Sequence, residues 1–473
     1  GQLVVNAPHI PVHLGSLGLC VRTLREAVEM QAGDVVATNH PGFGGSHLPD
    51  VTVVTPAWSD SGELLGYLAS RAHHAEIGGV SPGSMPPAAT RLIEEGVVLP
   101  PTHLVRRGEA RWAAVRQLLS AGPHPSRNPD DNVADLRAAV AANHRGAGVL
   151  RDLCARHGTA RVREMMDALG RRAERCVSTA LGRLPGGRHE AEEHLDDGTP
   201  LRVRIDLTDA GARVDFAGSG GVHPGNLNAT PAIVRSVVLY VLRLLVDEPL
   251  PLNEGLMRAV SLSIPEGLLN PGFPDDPAQA PAIVGGNVET SQRLVDTLLR
   301  ALGLAACSQG TMNNVSFGTA GFGYYETVCG GSGAGPRFPG QSAVHTHMTN
   351  TRITDAEIVE QRYPVRVEGF AVRRGSGGQG RFAGGDGVRR EIRFLEPMSL
   401  SILSQHRREG PYGLEGGEAG LPGRQRLLRA DGRTDELEAV DGRDVEPGDR
   451  LVLETPGGGG YGRAGYEPSG SAP

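Results

Sequence analysis

Four side chains able to bind a metal or move a proton lie close together in residues 39–87: His47, Asp50, His73 and His74. The spacing His-x-x-Asp offers one nitrogen and one oxygen donor, and the His-His pair adds two nitrogens. Such a mixed set suits a divalent ion, Mn, Fe or Zn. The chain between the two halves must bring them together. Residues 51–57 and 64–71 have the composition of strands, and Ser59-Asp-Ser-Gly62 between them reads as a turn. Folding that hairpin about its midpoint sets Val51 opposite Ser70 and, past the strand ends, His47 opposite His74, with Asp50 one short turn away. A slipped register would exchange His73 for His74. On this reading His47, Asp50 and His74 are metal ligands, and His73 is the alternate or a proton carrier. The plainer alternative is that histidines at a strand end cap a turn or satisfy a carbonyl. Glycines at 42, 44, 45, 78 and 79 let backbone and substrate approach closely.

Residues 330–352 are the second chemically dense stretch. Several glycines precede His345-Thr-His347, and Asn350-Thr-Arg352 follow. On a strand, His345 and His347 would point to one face, as a catalytic or ligand pair requires. Asn350 and Arg352 are the substrate-binding candidates, since a guanidinium grips a carboxylate with two parallel hydrogen bonds. The alternative is a glycine loop with structural histidines. The hairpin lacks a cation and an amide donor for an anionic substrate, and this stretch supplies both, so the two are expected to share one pocket. His13, just before Gly15-Ser16, could reach the hairpin or make a local hydrogen bond.

Composition narrows the chemistry. The 473 residues carry a formal net charge of −7, with pI near 6.2 and mean hydropathy −0.23. No basic cluster interleaves with aromatics, which argues against nucleic acid. All 47 basic residues are arginine. Schiff-base chemistry, a lysine general base and a Walker-type phosphate lysine are therefore excluded. Five scattered cysteines in no Cys-x-x-Cys spacing oppose a disulfide framework and a cysteine zinc site, and fit a reducing cytoplasm. The longest apolar run, 233–246, contains Arg235 and Arg243 and reads as a core helix, not a membrane span.

The elements that must position these residues alternate in type. The pattern predicts an α+β, multi-domain protein with mixed sheets, a helical hairpin insertion and a β-rich C-terminal region. The expected divisions are 1–125 with the histidine hairpin, 126–186 as the helical hairpin, 187–280 as a β-hairpin plus core helix, and 281–473 with the glycine loop and the β-rich region. A helix is predicted over 19–30, and residues 82–101 form a Pro/Gly loop over the site in which Glu94 and Glu95 are surface charges. Asn226 and Asn228 cap backbone or bind a substrate amide. The Gly-Gly turn at 285–286 opens a helix and could hold an anion. The glycine tail 456–462 is an ordered loop or a flexible terminus, with disorder expected beyond Arg463.

Long ungapped segments resemble the hydantoinase B/oxoprolinase family. They are Ser46-His-Leu-Pro-Asp-Val-Thr-Val-Val-Thr-Pro56, Ala69-Ser-Arg-Ala-His-His-Ala-Glu-Ile-Gly-Gly79, Ser81-Pro-Gly-Ser-Met-Pro-Pro87, Val284-Gly-Gly-Asn-Val-Glu-Thr-Ser-Gln-Arg293 and Tyr324-Tyr-Glu-Thr327. The runs 331–352, 373–378 and 455–462 extend the likeness to nearly the whole chain. Asn39-His-Pro41 and the Tyr-Tyr-Glu-Thr block look most like the C-terminal, B-type half of ATP-dependent 5-oxoprolinase. The resemblance implies a cyclic-amide hydrolase that opens 5-oxoproline to glutamate, a step of glutathione metabolism. An A-type ATPase chain would phosphorylate the lactam, using ATP and Mg, and this chain would complete hydrolysis at a metal-containing site within a hetero-oligomer. A hydantoinase component, an acetone-carboxylase-like component and a non-catalytic assembly partner of the ATPase chain are the alternatives. Glu76 and Ala72 stand where the family commonly has Asp and Gly. Gly1 is not an initiator residue, and family members carry a further segment before this point.

Overall fold

The computed structural model describes residues 1–465, apart from Pro8 and Ala210. It is an α+β protein with helices and several sheets, divided into two compact units. The first comprises Gly1–Arg188, Ile205–Asn287 and Ala320–Tyr324. The second comprises His189–Arg204, Val288–Thr319 and Tyr325–Pro473.

The first unit is built on an antiparallel sheet of five strands: β1 (Val35–Thr38), β2 (Asp50–Trp58), β3 (Leu64–His73), β4 (Thr102–Arg106) and β5 (Glu109–Ala110). Their order is β3-β2-β1-β4-β5. Both faces of β2 are covered, and its side chains alternate between two partners. Val54, with Val36 of β1, packs against Cys20, Val21 and Leu24 of the helix Ser16–Ala27. Val51 and Val53 turn the other way, toward Leu136 and Val140 of the helix Pro129–His157. On that face Asn143 is buried and donates to Val53 O at 3.0 Å, while Ser70 Oγ donates to its Oδ1 at 2.6 Å. A polar side chain survives there because the sheet satisfies it. Asn128 caps the long helix, and Gly158 separates it from Thr159–Leu181. The apolar helix Pro231–Leu245 also lies in this unit, capped by Thr230.

The hairpin register differs from the sequence expectation. Asp50 pairs with His73 and Val51 with Ala72, two places on from the predicted pairing. A bulge between Ala57 and Trp58 and the loop from Ser59 to Glu63, with Gly62 at φ +80°, shift the strands. The helix predicted over 19–30 runs Ser16–Ala27, because Val28 turns extended.

In the second unit, Asn314–Gly318, Met398–Leu403 and Val440–Val445 pair antiparallel. A five-stranded sheet runs in the order Val365–Arg373, Gly387–Phe394, Arg450–Glu454, Arg424–Leu428 and Thr434–Glu436. The helix Ser291–Ala301 is buried from Ser291 to Leu299, its polar residues included. Elsewhere bare backbone makes the packing. Gly458 N–H donates to Gly385 O and Gly385 N–H to Ser332 O, while Gly459 N–H donates to Cys307 O. A Cβ on Gly331 would lie 1.9 Å from Gly385 O, and one on Gly458 would lie 2.0 Å from Ser332 O. None of these glycines has a positive φ. Close approach of backbones, not a left-handed turn, requires them. Residues 456–460 are therefore an ordered, buried segment. The disorder expected past Arg463 falls mainly on 466–473, which lie outside the described residues.

Candidate metal centre

The loop that leads into β2 is held before any functional side chain is placed. Asn39 is fully buried; its Nδ2 donates to Leu48 O and Val97 O, and its Oδ1 accepts from Leu99 N. The turn Pro41–Phe43 is capped by His40, whose Nδ1 accepts from Gly42 N. Gly44 takes φ +81°, a conformation that glycine adopts without steric cost. Arg71 on β3 donates to Gly44 O, Thr52 Oγ1 and Ser16 Oγ, and Thr230 donates to Gly45 O. His47 is thereby fixed one turn ahead of Asp50, whose N–H donates to His47 O at 3.0 Å.

Three donors converge. His47 Nε2 lies 3.1 Å from Asp50 Oδ2, and His73 Nδ1 lies 3.3 Å from Asp50 Oδ1 and 3.3 Å from His47 Nε2. All the ligand atoms fall within 4.8 Å of one another. Ser46 Oγ donates to Asp50 Oδ2 at 2.6 Å. His47 and Asp50 are buried, whereas the His73 side chain retains 22% exposure, so the cluster opens on that side. Burial opposes charge on Asp50, but the imidazoles of His47 and His13, with hydrogen bonds from His47 and His73, hold its carboxyl well below the usual range. Burial lowers His47 more than Asp50 raises it. An ionised carboxylate beside a neutral imidazole is the protonation state a metal requires. Two donors each about 2.1 Å from one ion and a tetrahedral angle apart lie roughly 3.4 Å from each other. The observed separations fit that spacing, and the N/O set fits Mn, Fe or Zn.

His74 turns away from this set. Its Nδ1 meets Asn132 Nδ2 at 3.0 Å and Asp135 Oδ2 at 3.8 Å, and burial, reinforced by His73, lowers its pKa to about 4. The register shift brings His73, in place of His74, into the cluster. Glu76 accepts from Gly78 N, Gly83 N and Arg127, and so ties down the following loop.

The other candidates lie in the second unit. His345 and His347 do not alternate on a strand, because left-handed residues at Ala343 (φ +55°) and His347 (φ +52°) break the extended backbone. His347 Nε2 lies 3.0 Å from Asp296 Oδ1, and His345 keeps a buried Nδ1 without a hydrogen-bond partner. Burial lowers the pKa of His345. Asn350 and Arg352 are exposed.

Sequence reasoning overlooked two buried acids. Glu95 is fully buried, where a surface charge was expected. Its Oε1 accepts from Ile283 N and Val284 N, both at 2.8 Å, at the turn where an anion was anticipated. Burial pushes its pKa up to about 8. Glu289 is likewise raised to about 8 by burial and accepts from Met312 N and Asn314 Nδ2. Asn226 and Asn228 spend their amides on backbone carbonyls of Pro86, His223, Gly225 and Ala282, which makes them caps. All five cysteines are free, and among the described residues no helix is long and apolar enough to cross a membrane.

The sequence model of the family Hydantoinase B/oxoprolinase matches residues 1–464. A 5-oxoprolinase from Dictyostelium discoideum is 43% identical over 98% of this chain, which spans only 37% of that relative's length. A putative D-/L-hydantoinase component from Pseudomonas sp. (strain NS671) is 29% identical over 98% of the chain and 82% of its own length. The crystal structure of an ATP-dependent caprolactamase from Pseudomonas jessenii superimposes with a TM-score of 0.88 at 25% identity, covering 98% of this chain and 83% of that one.

Proposed function

Because the chain belongs to the hydantoinase B/oxoprolinase family, we propose that it completes the ATP-dependent opening of a cyclic amide, with 5-oxoproline as substrate and glutamate as product. The convergence of His47, Asp50 and His73 within 4.8 Å carries this reading. Relatives named for 5-oxoprolinase, hydantoinase and caprolactamase activity support the substrate class. The nucleotide step falls to an A-type ATPase partner that binds ATP and Mg, in keeping with a chain that has no lysine.

An unactivated lactam is a poor electrophile. Transfer of a phosphoryl group from ATP to the amide oxygen makes the ring carbon open to water. Water adds there, the ring C–N bond breaks with the nitrogen leaving as an amine, and a second water releases phosphate from the acyl phosphate. The balance is lactam, ATP and two waters to amino acid, ADP and phosphate. A divalent ion, Mn, Fe or Zn, held by His47, Asp50 and His73, would supply Lewis-acid polarisation. Asp50 orients both imidazoles, and partly exposed His73 is the member of the set on the solvent side. Asn350 and Arg352 are proposed to hold the substrate carboxylate, and His345 and His347 to manage protons.

The test is reconstitution with the A-type partner and ATP, following glutamate and ADP from 5-oxoproline and from a panel of other lactams. Turnover that His47→Ala abolishes is expected. Full activity in that variant would overturn the assignment.

A further inference from the structure

The buried helix Ser291–Ala301 holds two histidines from separate loops of the second unit, and it treats them differently. Arg293 Nη1 donates to His406 Nε2, while His406 Nδ1 donates to Glu409 O at 2.9 Å. Both ring nitrogens of His406 are thus spent on the protein, as in a structural histidine. One turn further along the helix, Asp296 Oδ1 lies 3.0 Å from His347 Nε2. Asp296 is wholly buried, and the same oxygen accepts from Ser308 N–H at 3.0 Å, which fixes the carboxylate. The His347 side chain retains 9% exposure, so solvent reaches the histidine and not the acid. An imidazole that donates from Nε2 to a carboxylate carries its lone pair on Nδ1, so Asp296 selects the tautomer. A proton arriving at Nδ1 makes an imidazolium whose other N–H already faces an opposite charge.

We propose that Asp296 is the positioning residue of His347: it holds the ring in the Nε2–H form and stabilises the imidazolium that forms when Nδ1 takes up a proton. The proton handled is the one that the attacking water loses and the ring nitrogen gains as the C–N bond breaks. Asp296 acts through His347 alone. The inference rests on the reading that His347 manages protons, and it adds the buried group that makes this possible.

The experiment follows kcat and KM of the reconstituted pair with ATP and 5-oxoproline in Asp296→Asn, His347→Asn and the double variant. Asparagine is chosen at 347 because His347 has φ +52°, which asparagine tolerates. Asp296→Asn is expected to lower kcat by at least about 100-fold and to change KM by less than about threefold. The double variant is expected to be no slower than His347→Asn, since a positioning residue has nothing to add once its partner is gone. Losses that multiply in the double variant, or a wild-type kcat in Asp296→Asn, would overturn the role. Full activity in His347→Asn would overturn it too and leave the lactam reading in place, whereas a wild-type pair inert on every lactam overturns both. The tautomer is read separately by long-range ¹H–¹⁵N NMR of the full chain labelled in histidine, with His347 assigned by the signal missing from His347→Asn. The Nε2–H form is expected. An Nδ1–H form in the wild type would overturn the proposal without any Asp296 variant having to fold.

Discussion

Asp50 and His73 face each other as a directly opposed pair across β2 and β3, with the imidazole Nδ1 3.3 Å from the carboxylate Oδ1. The pairing makes a cross-strand contact the scaffold of the candidate centre. The strand ladder fixes one pair of donors, and the loop before β2 needs to deliver only His47 and Ser46. A one-place slip would turn His73 to the other face.

The purified protein is expected to carry a divalent ion, and His47→Ala to lose it. Elemental analysis of the two proteins decides the matter. Equal, near-zero metal in both would remove the basis for the centre.

Asn39 holds the loop through three hydrogen bonds in a fully buried position. Asn39→Ala strands one N–H and two carbonyls, at a cost of about 2–4 kcal/mol. Urea denaturation should show that loss. Metal affinity should fall with it, because His47 follows on the same loop.

Glu95 supplies a pH signature. Its folded pKa of about 8 lies above the ordinary carboxyl value of 4.5, so the folded state holds a proton that the unfolded state releases. The penalty is absent below pH 4.5, grows as pH rises toward 8 and then levels off. Glu95→Gln keeps an acceptor for Ile283 and Val284 but cannot ionise. Its melting temperature should gain on the wild type between pH 5 and 8, with no gain near pH 4. A constant difference across the range would show that Glu95 is ionised in the folded protein.

Arg352→Lys should raise KM for a lactam that bears a carboxylate and leave metal content unchanged, because lysine keeps the charge and loses the paired donors. Kinetics on the reconstituted pair, alongside elemental analysis, test this. An unchanged KM would remove Arg352 from substrate recognition.

Gly458→Ala would drive a methyl to 2.0 Å from Ser332 O and should cost about 3 kcal/mol or more. Gly148→Ala, on the helix Pro129–His157 with nothing near its Cβ position, should instead stabilise by about 0.5–1 kcal/mol. Paired denaturation curves give both signs in one experiment.

Much of this was legible in the sequence where a local rule governs. Composition located β2 and β3, and the helical hairpin expected over 126–186 holds the helices Pro129–His157 and Thr159–Leu181. The register was not, since it depends on a bulge at Ala57 that leaves no compositional mark. Burial of Glu95 was hidden because its partners, Ile283 and Val284, lie far along the chain. The glycines before His345 suggested a loop, and the loop continues through the histidines because Ala343 and His347 adopt conformations that sequence patterns rarely reveal. His13 was visible as a candidate. The structure brings its Nδ1 to 3.6 Å from Asp50 Oδ2, so it does reach the open end of the hairpin.

The bare-backbone layers around residues 456–460 also bear on biosynthesis. Gly458, Gly459 and Gly460 complete hydrogen bonds with segments synthesised up to about 150 residues earlier, among them Cys307, Gly385 and Glu418. Some of the earlier segments bond one another directly, as Gly385 N–H does to Ser332 O, but the layers gain their last backbone partners only when residues 458–460 have left the ribosome. The glycine-rich layers of the second unit are thus completed late in synthesis, and backbone groups that await those residues are open to other partners until then.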